Sequence, residues 1–380
     1  MRGRRLDRHL SSSAMKHATI LCLATLSLLG CSSATSNSNP AAPQAGATGT
    51  ETPTGGSSGA EASGGTGATT GPVARSACGL PLGGASGVPQ PSGAAENLQV
   101  LDWAGFQAAV SYTFDDANSS QIDHYGELQA LGVPMTFYLQ TGKNEAGDEI
   151  WAQALQDGHE LGNHTENHEH EATGADIDAA TEFIEQHFGV TPYTMAAPYG
   201  DSSYVEFAET RFLINRGVAG GTVAPKSGTN PFNLPCYIPD EDASANDLNS
   251  IVDQAHSRGR WQILLVHGFT GGHDYAYQPV GVDQFVAHVQ HTKSLEGMWV
   301  DSVVRVGAYW IAQKLVSELT PTASDGATTW SWTLPDHFPP GMCLRVTTEG
   351  GTLVQNDQPV PWDEHGYYEI ALDAGSMSLE

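Results

Sequence analysis

The stretch Val110-Ser111-Tyr112-Thr113-Phe114-Asp115-Asp116 (VSYTFDD) is a β-prone run that stops on two adjacent carboxylates. Side chains along a strand alternate between its two faces. A run without charge on either face therefore reads as a strand covered on both sides, delivering Asp115 and Asp116 to its rim. Three later stretches end in a similar way: GHELGNH at His164, TMAAPYG around Tyr199 and WQILLVH at His267. Ends of this kind, meeting at one rim, would surround a single metal ion.

Outward from that strand, short apolar runs alternate with helix-length segments between residues 98 and 319. Residues 119–131 read as a helix closed by Gly132, 133–139 as a strand, 149–157 as a helix and 159–163 as a short strand. Residues 175–188 carry apolar side chains at helical spacing (Ile177, Ala180, Ile184, Phe188) and stop at Gly189. Residues 193–197 are strand-like, 204–213 and 245–258 helical, and Trp261–Val266 is an unbroken apolar strand. Two further helices, 282–291 and 303–319, flank the strand Met298–Val300. Unbroken apolar strands, each followed by a helix, pair in parallel with helices outside. Polar residues gathered at the C-terminal strand ends are where (β/α) barrels build their sites, so an α/β barrel over 98–319 is expected rather than an open sheet.

The 380 residues carry 16 Lys and Arg against 43 Asp and Glu, a formal charge of −27. That field disfavours nucleic acid and anionic membranes, fits a neutral or cationic partner, and leaves a neutral polysaccharide unaffected. Residues 18–30 (ATILCLATLSLLG) are an apolar run too short to span a bilayer, following Lys16 and His17. The closing Leu28-Leu29-Gly30-Cys31 resembles the bacterial lipobox, so residues 1–31 are expected to be a lipoprotein signal with Cys31 lipidated. Residues 32–97 are expected to be tether and lead-in. As far as about Ser76 they are Gly, Ser, Thr, Ala and Pro, which bury too little surface to offset their ordering entropy. The chain then reads as an exported lipoprotein that meets the membrane only through its lipid. Cys78, Cys236 and Cys343 leave room for one disulfide and one spare thiol, with the pairing open. Residues 320–380 alternate apolar and polar positions between Gly, Pro and Asp turns, a small antiparallel β module. Its Trp330, Trp332 and Trp362 read as core rather than as a sugar-binding face.

The chemistry-bearing residues follow from ligand requirements. His164 and His168 stand four apart, close enough on a turn to face one cation. With one carboxylate they make the open three-ligand set of a catalytic zinc. Asp115 and Asp116 start on opposite faces of a strand end, so one can ligate while its neighbour takes a proton. Taken alone, H-x-x-x-H reads rather as a solvated His-rich loop, since His159 and His170 lie near.

In combination and order, TFDD, HTENH, APYG and LLVHG resemble the polysaccharide deacetylase family, the NodB-homology group also known as carbohydrate esterase family 4. The resemblance covers roughly residues 110–315. It implies a deformed (β/α) barrel and metal-dependent removal of acetyl groups from sugar polymers such as xylan, chitin-like chains or peptidoglycan. The implied cofactor is a divalent metal, Zn2+ first, with Co2+ or another divalent ion as the alternative. The implied roles are Asp115 as general base, Asp116, His164 and His168 as metal ligands, and His267 as general acid. Tyr199 would offer its backbone N–H to the oxyanion, with Pro198 and Leu265 beside the acetyl group.

Two departures stand out. Where the family carries an arginine that pairs with the base, this chain has Ala196, leaving Arg211, Arg216 and Lys226 as substitutes. The family's D-x-x-D-W segment is absent, leaving Asp240 or Asp242 to orient His267. The missing arginine keeps a second reading open, a non-catalytic carbohydrate-binding lipoprotein on the same fold. A paired-carboxylate glycosidase is excluded, because adjacent aspartates cannot stand the roughly 5 Å or more apart that such sites need. No G-x-S-x-G elbow occurs for a serine hydrolase.

Overall fold

The computed structural model describes residues 74–84 and 86–380. The expected signal sequence, Cys31 and the expected tether up to residue 73 lie outside the described residues. The first eight strands are β1 (Gln99–Val100), β2 (Ala108–Phe114), β3 (Thr136–Leu139), β4 (Glu160–Asn163), β5 (Thr194–Ala196), β6 (Ile214–Arg216), β7 (Trp261–Val266) and β8 (Met298–Val300). From β2 to β8 they form one parallel sheet in the order β6-β5-β4-β3-β2-β7. One edge of β2 is shared, β3 pairing with Thr113 and Phe114 and β8 with Ala108 to Val110.

The sheet curls into the deformed barrel expected from the sequence, and the gap between β6 and β7 is closed by an irregular segment. Leu234 bridges to Arg216, and Tyr237 bridges to Leu264. The bonds include Leu234 N–H to Asn215 O at 3.0 Å and Tyr237 N–H to Ile263 O at 2.9 Å. The Gly-, Pro- and Asn-rich stretch before residue 245 is thus part of the barrel wall.

The helices are α1 (Ser119–Asp123), α2 (Tyr125–Ala130), α3 (Ile150–Gln156), α4 (Gly174–Phe188), α5 (Tyr204–Ala208), α6 (Ala245–Ser257), α7 (Val282–Ser294) and α8 (Val303–Ser317). Alternation along β2 divides the core. Val110, Tyr112 and Phe114 join Leu128, Phe285 and Val289 under the outer helices. Ala109 shares a second cluster with Ile263, Leu265 and α8 residues Val306 and Trp310. The N-terminus of α8 seals the lower end of the strands. Val304 N–H donates to the buried Glu160 carboxylate and Val303 N–H to Thr136 Oγ1, both at 2.9 Å, placing an acidic group at a helix N-terminus.

Two helices differ from expectation. The 119–131 segment is broken at His124 into α1 and α2. Its first turn gives Ser120 and Gln121 to buried bonds with Phe269 N–H, Asp115 O and His267 O. The 204–213 segment is helical only over α5, because the chain must extend to lay β6 beside β5.

Strands β9 (Thr322–Ser324), β10 (Ala327–Ser331), β11 (Cys343–Thr347), β12 (Leu353–Gln355), β13 (Gln358–Pro359), β14 (Trp362–Asp363), β15 (Tyr367–Ala371) and β16 (Ser376–Leu379) make up the C-terminal module. Two antiparallel sheets result, β1-β11-β15-β14 and β13-β12-β16-β10-β9. The module shares its core with the barrel: Leu344, Val346 and Ile370 lie in one cluster with Trp261 and α8, and Trp330, Trp332 and Trp362 pack there too. The lead-in is packed as well. Arg75 Nη1 donates to Asp301 Oδ2 at 2.8 Å, and Cys78 forms a disulfide with Cys343, leaving Cys236 buried and free.

Candidate metal centre

Asp116, His164 and His168 offer ligand atoms that all lie within 4.8 Å of one another. His164 follows β4, and its Nδ1 stands 2.8 Å from Ala196 O on β5. A carbonyl can only accept, so Nδ1 carries the proton and the Nε2 lone pair points into the site. His164 Nε2 is 3.2 Å from Asp116 Oδ1 and 3.1 Å from His168 Nε2, and His168 Nε2 is 3.6 Å from the same Asp116 oxygen. Two imidazole nitrogens and a carboxylate converging at these distances need a shared proton or a cation between them.

The electrostatics agree with that reading. Burial alone would raise the Asp116 pKa, but the adjacent histidines, His164 first, hold it far below the usual carboxylate range. Burial, reinforced by His164, pushes the His168 pKa down to about 4, which keeps that ring neutral. Burial also works against charge on His164, yet Asp115 and Asp116 outweigh it and raise its pKa. The spot between these groups calls for a cation or a proton, and the donor set suits a divalent metal.

The backbone holding these groups is unusual. Asp116, Ala117, Thr165, His168 and Tyr199 all have φ between 51° and 75°, a region non-glycine residues rarely occupy. Such strain persists only where surroundings over-determine it, and here they do. Asn163 Oδ1 accepts from Thr165 N–H at 2.8 Å, and Thr165 Oγ1 from His168 N–H at 3.0 Å. Asp176 on α4 accepts from both Asn167 nitrogens. The left-handed turn at Asp116 brings its carboxylate to the same centre as that of Asp115, despite their opposite starting faces on β2.

Asp115 is 2 % exposed. Its Oδ2 is paired with Arg216 Nη2 and lies 3.7 Å from His164 Nε2, while Oδ1 is buried without a partner. Arg216 is fully buried at the end of β6, with its guanidinium 5.5 Å from the centre of the Tyr138 ring. Burial would lower the Arg216 pKa, but Asp115 overrides it and raises it further. In the register of β5 and β6, Ala196 and Arg216 are direct partners. The arginine missing at residue 196 is therefore supplied from the same level of the neighbouring strand.

The other two candidates are engaged elsewhere. Arg211 pairs with Asp178 at 2.7 Å and Lys226 with Asp102 at 2.8 Å.

His267 follows β7 directly, two residues beyond Leu265, which is fully buried. Burial lowers its pKa, partly offset by Asp115 and Asp116. His267 Nδ1 is buried with no partner, so neither Asp240 nor Asp242 orients this ring. Pro198 is buried, whereas Tyr199 is 54 % exposed, stacked on His170 with ring centres 3.7 Å apart and tilted over His168 at 4.5 Å. Sequence reasoning missed two supporting residues. Asn118 and Gln121 both donate to His267 O, at 2.7 and 2.8 Å, tying the β2 rim to the β7 rim. Their only sequence signal is a polar pair just beyond FDD.

A curled parallel α/β barrel with a half-buried Asp-His-His cluster at its C-terminal strand ends is the class that this fold and site define. Residues 106–210 match the family model described as Polysaccharide deacetylase, which bears out the resemblance carried by the motifs. Asp115, Asp116, His164, His168 and Tyr199 fall inside that match, and Arg216 and His267 lie beyond it. No curated protein matches the chain.

Among solved structures, one similar to this chain is a family 4 acetyl xylan esterase from Clostridium thermocellum in complex with cobalt. It shows 15 % identity, covers 52 % of this chain and 89 % of its own, and has a TM-score of 0.37. The peptidoglycan deacetylase PdaC from Bacillus subtilis shows 17 % identity over 56 % of this chain and 95 % of its own, with a TM-score of 0.37. Puue allantoinase shows 11 % identity over 55 % and 91 %, with a TM-score of 0.43.

Proposed function

We propose that this protein is a metal-dependent hydrolase that removes N- or O-linked acetyl groups from a neutral polysaccharide. One observation carries the reading. Asp115 is anchored through one oxygen by buried Arg216, with its other oxygen unpartnered, beside the converging Asp116, His164 and His168. Asp116, His164 and His168 would hold a divalent ion, zinc or cobalt. When bound, that ion would supply Lewis-acid polarisation of the acetyl carbonyl and acidify water at the site.

The remaining steps belong to this chain's own groups. Asp115 Oδ1 accepts the proton of the attacking water, and Arg216 holds the carboxylate in register for that transfer. The Tyr199 backbone N–H faces the developing oxyanion, with Pro198 and Leu265 enclosing the acetyl methyl. His267 returns a proton to the leaving nitrogen or oxygen. The Ala196 departure kept a carbohydrate binder without turnover open as the alternative; Arg216 beside Asp115 weakens that motive.

The Cys78–Cys343 disulfide fits an oxidising compartment. It supports the further proposal that the protein is exported and held at the bacterial membrane by a lipid on Cys31. The decisive experiment measures acetate release from acetylxylan, chitin oligomers and peptidoglycan. Release should stop with chelator and return with zinc or cobalt. Silence on all three with bound metal confirmed would overturn the enzyme reading.

A further inference from the structure

Among the described residues, the exposed large hydrophobic side chains are Val88, Tyr199, Val218, Tyr275 and Tyr277. Val88 lies against the C-terminal module, beside Trp362 and Glu364, whereas Tyr199, Val218 and Tyr277 stand around the candidate metal centre. Tyr199 lies over His168 and His170, and Val218 packs on Gly200 next to it. Tyr277 meets the His267 ring edge-to-face with centres 5.3 Å apart. Tyr275, two residues earlier, is 99 % exposed. One exposed ring thus rests on a candidate metal ligand and another on the candidate proton donor, so aromatic surface flanks the cluster on both sides.

The loop carrying Tyr275 and Tyr277 is built rather than slack. Its base is closed by Thr270 N–H to Val280 O at 2.9 Å and Val280 N–H to Gly268 O at 3.2 Å. Asp274 reaches across to the β2 rim, accepting from Ser120 N–H at 2.7 Å, and Asp242 N–H donates to Pro279 O at 3.2 Å. Gly268 is needed for this packing: a Cβ there would meet Ala276 Cβ and Ser120 Oγ at 2.6 Å. Tyr275 and Gln278 are held at φ 53° and 44°. A backbone in that region, spent on presenting a ring wholly to water, is the kind of strain that marks functional sites. Exposed aromatic patches of this kind mark binding surfaces.

We infer that Tyr275 and Tyr277 form a platform for the sugar chain beyond the acetylated unit, and that it binds uncharged pyranose residues by stacking. Pyranose rings present flat arrays of C–H groups that suit aromatic faces, while their hydroxyl edges stay in water. The choice of an uncharged chain rests on acidity: the loop carries Asp274, its anchor is Asp242, and the whole chain stands at −27. The inference rests on the deacetylase reading for the direction of the chain across the site, but binding can be measured without turnover.

The test titrates the full chain with xylo-oligosaccharides and with N-acetylglucosamine oligomers, from dimer to hexamer, by calorimetry. In at least one series affinity should rise with length. Tyr275→Ala and Tyr277→Ala should each weaken hexamer binding about three- to tenfold, with the dimer less affected and Tyr275→Phe retaining wild-type affinity. Tyr275 packs on nothing that its loss would unfold, so its variant reads stacking alone. Flat affinity in both series, or a Tyr275→Ala/Tyr277→Ala double variant that binds hexamer like wild type, overturns the platform. If the protein releases no acetate but shows length-dependent binding that the double variant loses, the deacetylase reading fails and the platform stands.

Discussion

Replacing Arg216 with methionine removes a buried cation while keeping much of the side chain's length. The guanidinium is fully buried, as is Asp115 apart from 2 % of its surface, and the two are directly paired. Losing one member leaves the Asp115 carboxylate buried without a counter-charge. Breaking a buried pair from one side costs about 3–5 kcal/mol, a large fraction of a typical domain's roughly 5–15 kcal/mol. Arg216→Met should therefore shift the denaturant midpoint strongly. Acetate release should fall by about 10²–10⁴, the usual contribution of a positioned base.

A double-mutant cycle separates this from loss of packing. In an Asp115→Asn background no carboxylate remains to be stranded, so adding Arg216→Met should cost at least about 2 kcal/mol less than in the wild type. Denaturant unfolding of the four proteins, all loaded with the same metal, gives the coupling directly. If Arg216→Met costs as much in the Asp115→Asn background as it does beside the native carboxylate, the guanidinium is a packing element and its positioning role is refuted.

Because Ala196 and Arg216 face each other across β5 and β6, Ala196→Arg combined with Arg216→Ala should recover at least about tenfold of the activity lost in Arg216→Ala alone; no recovery would mean that level in the barrel is not sufficient. His164→Ala should lose bound zinc, read by elemental analysis, whereas Asp115→Asn should keep zinc and lose turnover; the opposite pattern refutes the division between the two aspartates. Burial lowers the pKa values of His159 and His288 from 6.5 to about 4. Their folded values lie below the unfolded one, so stability is full above pH 6.5 and falls as pH drops towards 4, by up to about 3 kcal/mol for each; denaturant midpoints across that range check it, with His288→Asn expected to flatten the dependence. Cys78→Ser should destabilise by about 2–5 kcal/mol, given a bridge across 265 residues, measured with and without reductant; an unchanged midpoint would show that the lead-in is not fastened by this bridge.

Much of the barrel was legible because its strands are buried on both faces. β2 and β7 are uncharged, largely apolar runs, all seven and all six residues buried, and such runs announce themselves without a partner in view. Asp115, Asp116 and His267 were legible for the same reason, each standing just past the end of such a run, whereas His164 follows Glu-Leu-Gly-Asn and was legible through its spacing to His168. β6 was not. It is three residues, Ile214–Arg216, one of them charged, and its partner Leu234 lies in a stretch with no periodicity. The strands β1, β13 and β14 are two residues each, too short for any alternation to register. Pairing with another strand, distant for β1 and across a tight turn for β13 and β14, defines these elements rather than local propensity.

Arg216 shows why site residues can escape a reading that the fold does not. Asp115 needs a cation at one level of the barrel, on its inner face. The sequence pattern names residue 196 for that place, but the requirement is spatial, and any strand passing that level with an inward position can meet it. β5 and β6 pass it side by side, so alanine on one and arginine on the other leave the charge where the carboxylate needs it. A motif is a record of which strand carries a group. Chemistry constrains only where the group ends, which is why a missing motif residue is weak evidence for a missing function.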